Sequence, residues 1–113
     1  MKTLLTTVAA VAVAAAAAFA AGRAAPANIV VVTHGSDTDA FWGVVRNGVE
    51  AAAEATGADV QYRNPPTGDI ADMARIIQQA TASGPNGIIT TLADYDVLQG
   101  PISDAGAAGS DVI

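Results

Sequence analysis

I-V-V-V-T-H-G-S-D-T-D-A-F-W-G-V-V-R, running from Ile29 to Arg46, is the stretch that decides the fold of this chain. Its first five residues are β-branched and apolar on both faces, which is typical of a strand buried in a parallel sheet. A polar turn, residues 34–39, follows. Small or apolar residues then recur every three or four positions, which predicts a helix over about 40–56. The buried stripe of that helix is predicted to comprise Phe41, Val44, Val45, Gly48, Val49 and Ala52.

The alternation of strand and helix patterns continues along the chain and predicts βαβ units around a parallel sheet. We expect strand two at Asp59–Arg63, a helix after Asp69, strand three at Gly87–Thr91, a third helix from Pro101 to about Ala108, and a fourth strand opening at Val112. Asp39 and Asp69 are the expected N-caps, and Gly57 is the expected stop of the first helix. The predicted fold is α/β, a three-layer open parallel sheet with helices on both faces. Because Val112 and Ile113 resemble the start of a core strand, we expect a truncated protein.

The first 25 residues have the pattern of an export signal rather than of a folded element. Lys2 gives a positive start, residues 4–19 form an alanine-dominated apolar run, and A-F-A at 18–20 is a small-x-small cleavage pattern. We predict a signal peptide over 1–25, cleaved after Ala20 or Ala25, and a periplasmic mature protein. A membrane anchor is the alternative, since the apolar core approaches the length that spans a bilayer.

Composition excludes several classes of function. The 113 residues carry a net charge of −6 and no cysteine, which excludes thiol chemistry, thiolate metal sites and disulfides. Beyond residue 25 only three arginines face eleven acidic residues, so no cationic surface is available for nucleic acid. We expect no nucleic-acid partner.

Ligands of open parallel sheets bind where the strands end and helices begin. The loop after strand one contains His34 and leads to Phe41 and Trp42, whereas the loop after strand three contains Asp94. On a helical wheel Trp42 falls at the edge of the buried stripe, so its indole is predicted either as an apolar platform or as a rim residue that packs on a loop. The same pattern predicts that Phe41 is a core residue.

The carboxylates at these strand ends have two possible roles. Asp39 fits a helix cap better than a ligand contact, and Asp94 fits either role. Together with the aromatic residues they match the chemistry of a sugar, which presents apolar C-H faces beside hydroxyl groups.

The sequence contains few residues that could form a catalytic site. His34 is the only histidine, which excludes sites with two histidines, and adjacent residues such as His34, Ser36 and Asp37 rarely converge on one atom. Neither an EF-hand spacing nor a glycine-rich phosphate loop occurs. We therefore expect no catalytic residues, no metal and no cofactor.

Two segments resemble the type I periplasmic binding proteins of simple-sugar ABC transporters, of the ribose- or xylose-binding kind. They are I-V-V-V-T-H-G-S-D-T-D-A-F-W-G-V-V-R-N-G-V-E-A-A-A (29–53) and P-N-G-I-I-T-T-L-A-D-Y-D-V-L-Q-G-P-I-S-D-A-G-A-A-G (85–109). The resemblance covers about 28–113 and implies two α/β lobes closing over a sugar, of which residues 26–113 would be part of the N-terminal lobe. It implies that Phe41 and Trp42 stack on the sugar and that Asp94 accepts its hydroxyls, with Asp39 at a polar position before the aromatic pair.

This chain departs from the family pattern at two points. Ala40 stands where proline is common, and Ser110-Asp111 interrupts the usual isoleucine-proline. The resemblance implies a substrate-binding component of a sugar ABC importer that delivers a monosaccharide or polyol to a permease in the inner membrane, monomeric at full length.

Other functions remain open. One is a periplasmic receptor that presents a sugar-like signal to a sensor, and another is a truncated fragment without function. A flavodoxin-like or hydrolase enzyme lacks a catalytic set here, and a DNA-binding sugar repressor would need a basic helix-turn-helix before strand one.

Overall fold

A computed structural model describes residues 24–113. The signal peptide predicted for 1–25 therefore lies almost wholly outside the described residues, and its two cleavage positions stay predictions. In chain order the elements are β1 (Asn28–Val32), α1 (Ala40–Thr56), β2 (Asp59–Arg63), α2 (Ile70–Ala82), β3 (Gly87–Thr90), α3 (Tyr95–Ala107) and β4 (Asp111–Val112).

All four strands are parallel and lie in the order β2-β1-β3-β4. Val30 in the central strand pairs with Gln61 on one side and with Ile88 on the other. The chain therefore moves outward from β1 to β2, crosses back to β3 and continues outward to β4. The predicted open parallel sheet is confirmed.

Helices cover both faces of the sheet, as predicted for three layers. Even-numbered residues of β1, Val30 and Val32, are buried with Ile88 beneath α2 and α3. Odd-numbered residues, Ile29 and Val31, face α1 across an apolar groove. The main core lies on the α2 and α3 side, where the largest fully buried side chains from the helices are Met73, Ile77 and Leu98.

The ends of the first two helices follow their local sequence signals. The carboxylate of Asp39 accepts hydrogen bonds from the backbone N-H groups of Phe41, at 3.0 Å, and Trp42, at 3.5 Å. Asp69 caps α2 in the same way through the N-H of Asp72, at 2.8 Å. Gly57 ends α1 in the left-handed conformation, with φ of 72°. These three expectations are confirmed.

The predicted buried stripe of α1 is wrong at Phe41 and Val44 and correct in direction at Val49 and Ala52, which face the sheet. No residue of this helix is buried, and Phe41 and Val44 are 67% and 71% exposed. The helix turns Val49 and Ala52 of the predicted stripe toward the sheet, together with Ala53, which the prediction did not include. The flank that carries Val44 has no covering element within residues 24–113, so the apolar pattern correctly predicted the helix but only part of the face that it turns to the sheet.

The third helix starts six residues earlier than predicted. Asp94, and not Pro101, defines its beginning, because the carboxylate of Asp94 accepts from the N-H of Val97 at 3.1 Å. Pro101 therefore lies inside α3, where its ring nitrogen cannot donate to the carbonyl of Val97. Gly109, with φ of 103°, follows the helix as expected. No helix within residues 24–113 is both long and apolar enough to cross a membrane.

Candidate ligand-binding site

The loops after β1, β2 and β3 meet at the carboxyl edge of the sheet. The N-H of Thr33 donates to the carbonyl of Arg63 at 3.1 Å, and the N-H of Thr91 donates to the carbonyl of Val32 at 3.3 Å. Strands β1 and β3 are neighbours whose following connections leave in opposite directions. This is the topological switch point at which doubly wound sheets bind ligands.

Trp42 lies in the first turn of α1 at this edge and is half-buried. Its ring contacts the His34 ring edge-on, with centroids 4.8 Å apart, and the Phe41 ring, with centroids 5.1 Å apart. The backbone of Gly35 closes a further side, since a Cβ on that residue would lie within 2.6 Å of the Trp42 Cβ. The indole is therefore held by its neighbours while part of it remains open to solvent.

Phe41 lies beside Trp42 but projects into solvent. Its interpretation as a core residue is wrong, because 67% of its surface is exposed and α1 contains no buried residue. The two aromatic side chains thus lie side by side at the switch point, with Phe41 exposed and Trp42 half-buried. The stacking role implied by the family resemblance stays a prediction.

Asp39 and Asp94 both act as N-caps, of α1 and α3 respectively. In each case the bonded atom is Oδ1, and both residues are exposed. The cap role expected for Asp39 is confirmed. For Asp94, which fitted either role, the structure assigns the cap, and a sugar contact through either carboxylate stays a prediction.

His34 and Thr91 connect the two loops, and sequence reasoning did not select either as a site residue. The Nδ1 atom of His34 is hydrogen-bonded to Oγ1 of Thr91 at 2.9 Å, across 57 residues of sequence. The sequence offered one positional signal, since each residue follows the end of a predicted strand. The two residues meet because β1 and β3 are neighbours in the sheet. His34 therefore contacts the indole and the β3 loop together.

A second set of polar contacts holds the β1 loop against β2. Arg46 donates from Nη2 to Oδ1 of Asn64 at 2.6 Å, and Asn64 in turn donates from Nδ2 to Oδ1 of Asp37 at 2.9 Å. The guanidinium of Arg46 also lies 4.9 Å from the centre of the Tyr62 ring, in cation-π range. These contacts restrain the loop that leads into Trp42 from the side opposite to Thr91.

The resulting edge combines large apolar surfaces with polar groups. Beside Phe41 and Trp42 it exposes Leu92 and Tyr95, at 54% and 62%. Hydroxyl, imidazole and carboxylate groups are interspersed among them. Within residues 24–113 no three side chains of the metal-ligating types cluster into a metal site.

A doubly wound sheet with an aromatic and polar carboxyl edge defines a small-molecule-binding module of the α/β class. The chain belongs to the periplasmic binding protein domain family, whose model matches residues 29–113. This confirms the resemblance drawn from the two sequence segments. The family and the solved relatives are solute-binding proteins, and the chain is accordingly not an enzyme.

Solved structures of sugar-binding proteins share the fold. A carbohydrate transporter from Acidothermus cellulolyticus 11B in complex with myo-inositol is 35% identical with a TM-score of 0.71, over 77% of this chain and 30% of that one. An ABC sugar transporter protein from Legionella pneumophila is 29% identical with a TM-score of 0.69, over 75% and 32%. An ABC transporter solute-binding protein from Agrobacterium vitis, bound with α-D-tagatopyranose, is 27% identical with a TM-score of 0.70, over 76% and 28%.

This chain spans about a third or less of the length of each of these relatives. A search of curated proteins found no match. The matches establish the family and the α/β fold of the described part, in which the carboxyl edge carries the candidate site.

Proposed function

We propose that this chain forms one wall of the binding cleft in the substrate-binding component of a sugar ABC importer. The wall is the carboxyl edge of the sheet, with Phe41, Trp42, Asp94 and Asp39 as sugar contacts. The observation that carries the proposal is the half-buried indole of Trp42, which is fixed at the switch point by His34, Gly35 and Phe41. A second lobe supplies the opposite wall, in keeping with the greater length of the solved relatives.

The chemistry of the edge suits a polyhydroxylated ring. An indole face packs against the C-H groups of a sugar, and a carboxylate oxygen accepts hydrogen bonds from its hydroxyls. Asp39 and Asp94 each use Oδ1 for the cap, so the other oxygen of each carboxylate is the atom that would meet a hydroxyl. Relatives bound with myo-inositol and with α-D-tagatopyranose support a monosaccharide or cyclic polyol as the ligand.

The proposal includes export and a membrane partner. Residues 1–25 direct the chain to the periplasm, where the loaded protein delivers its sugar to an ABC permease in the inner membrane. Mass spectrometry of protein recovered from the periplasm tests the first step. We expect a mature chain that begins at Ala21 or Pro26, and a protein that retains Met1 would contradict the export signal.

Sugar binding is tested by isothermal titration of the protein expressed from its complete reading frame. The panel contains myo-inositol, tagatose, glucose and galactose. We expect Trp42→Ala to weaken binding of the preferred sugar at least about tenfold, because the stacked surface is lost. Asp94→Asn keeps an N-capping side chain and removes only the charge, so a weaker affinity in that variant reports a direct contact.

A matched control is Asp69→Asn, which makes the same change in the N-cap of α2. It lies outside the four proposed contacts, and we expect unchanged affinity. Wild-type affinity in both Trp42→Ala and Asp94→Asn would reject the proposed wall. If residues 26–113 bound the sugar as tightly as the complete protein, the proposed second wall would be rejected.

A further inference from the structure

The contacts of His34 point beyond the four proposed sugar contacts. Its half-buried ring lies between the two loops of the switch point, with one hydrogen bond to Thr91 and one aromatic contact to Trp42. We propose that His34 is a positioning residue that couples the orientation of the Trp42 indole to the β3 loop and so sets the spacing of the sugar contacts. The affinity part of this inference rests on the proposed function.

The first step concerns the indole. The ring of His34 lies at 71° to that of Trp42, an edge-on packing that aromatic pairs favour. Gly35, the next residue, leaves no room for the indole to shift toward the β1 loop. Gly35 and Phe41 also contact the indole, so removal of the imidazole deletes the contact that links Trp42, through His34, to Thr91.

The second step concerns the distance between the loops. Thr91 directly follows β3 and stands three residues before Asp94. The bond of 2.9 Å from His34 to the Thr91 hydroxyl therefore fixes the start of the loop that carries Asp94 relative to the residue that packs on Trp42. A binding site gains affinity when such supporting bonds hold its contacts in place before the ligand arrives.

Two variants separate the two contacts of the imidazole. His34→Phe keeps an aromatic ring beside Trp42 and removes the bond to Thr91. His34→Asn keeps a polar group near the position of Nδ1 and removes the ring. Thr91→Val deletes the same hydrogen bond from its other end while it preserves the shape of the side chain.

The ligand-free protein supplies a readout that does not depend on sugar binding. The fluorescence of Trp42 is isolated by subtracting the spectrum of Trp42→Phe. We expect His34→Ala and His34→Asn to shift this emission to longer wavelength, because the indole gains water contact, and His34→Phe to restore most of the wild-type position. Unchanged emission in His34→Ala would overturn the proposed contact.

Sugar titration supplies the second readout. We expect about a tenfold loss of affinity in His34→Ala and a smaller, similar loss in His34→Phe and Thr91→Val, since each lacks the same single hydrogen bond. The double variant His34→Phe with Thr91→Val should lose no more than either alone. Additive losses, or wild-type affinity in both single variants, would overturn the coupling between the loops.

Ser110→Ala is the matched control, because it removes a buried hydrogen bond of 2.9 Å to the carbonyl of Pro85 at the opposite edge of the sheet. Ser110→Ala should lower stability without changing the Trp42 emission or the sugar affinity. If it changed the emission and the affinity as much as His34→Ala does, the effects of His34→Ala would report a general loss of structure and not a positioning role. A wild-type protein that binds no sugar would reject the proposed function alone, since the ligand-free emission of the variants still decides whether His34 positions the indole.

Discussion

The indole of Trp42 fills the space in which a side chain on Gly35 would lie. A Cβ on Gly35 would come within 2.6 Å of the Trp42 Cβ and closer still to Cγ. These atoms are near the backbone of α1, so a rotation of the indole alone cannot relieve the overlap. The β1 loop and the first turn of α1 are thus fitted to each other through one glycine.

We predict that Gly35→Ala displaces Trp42 from the switch point. Gly35 does not have positive φ, so the conflict that alanine creates is the overlap of its Cβ with the Trp42 side chain. The overlap should lower the free energy of unfolding by about 1–3 kcal/mol and should also lower sugar affinity. Urea denaturation and titration measure the two effects.

Gly43→Ala is the matched control for this prediction. It lies next to Trp42 in α1, and a Cβ there meets no atom within 4 Å. It should raise stability by up to about 1 kcal/mol, as alanine does in a helix interior. If Gly35→Ala behaved like Gly43→Ala, the fit between Gly35 and Trp42 would be refuted.

The cap of α1 gives a second prediction, which separates the structural role of Asp39 from a role in binding. Asp39→Ala removes the acceptor for two N-H groups and should cost about 1 kcal/mol of stability, whereas Asp39→Asn should cost only a few tenths. Thermal unfolding compares the two variants. Equal losses of stability in both would show that the charge, and not the cap hydrogen bonds, provides the stabilisation.

Pro101 supports a third prediction. It lies seven residues into α3, so the carbonyl of Val97 lacks its usual helical donor. Pro101→Ala should restore that bond and raise the free energy of unfolding by about 1 kcal/mol, net of the greater freedom that alanine gives the unfolded chain. A shift of the urea midpoint to lower concentration would show that the proline ring contributes more through packing than its missing N-H costs.

Local chemistry in the sequence was sufficient to predict the strands, the caps at Asp39 and Asp69 and the stop at Gly57. Each depends on residues within a few positions of one another. The bond between His34 and Thr91 could not be predicted in this way, because it depends on the lateral order of β1 and β3. The start of α3 was misplaced because Pro101 suits a first turn and Asp94 suits a cap, and only the structure decides between them.

The face that α1 turns to the sheet could be derived only in part from the pattern of that helix. A helix that carries small and apolar residues around much of its circumference can turn several faces toward a sheet. Here Val49 and Ala53 face β1 and β2, while Val44 remains 71% exposed. The face that is buried depends on the position of the helix over the strands.

The contrast between the exposed flank of α1 and the buried core gives a fourth prediction, for Val44 and Ile77. Val44→Ala should change the free energy of unfolding by less than about 0.5 kcal/mol, because most of the side chain is already in water. Ile77→Val, in the fully buried core beneath the sheet, should cost about 0.5–1.5 kcal/mol, although it removes fewer atoms. Chemical denaturation of the protein from its complete reading frame compares them. A larger loss for Val44→Ala than for Ile77→Val would mean that a further element covers the Val44 flank of α1 in the complete protein.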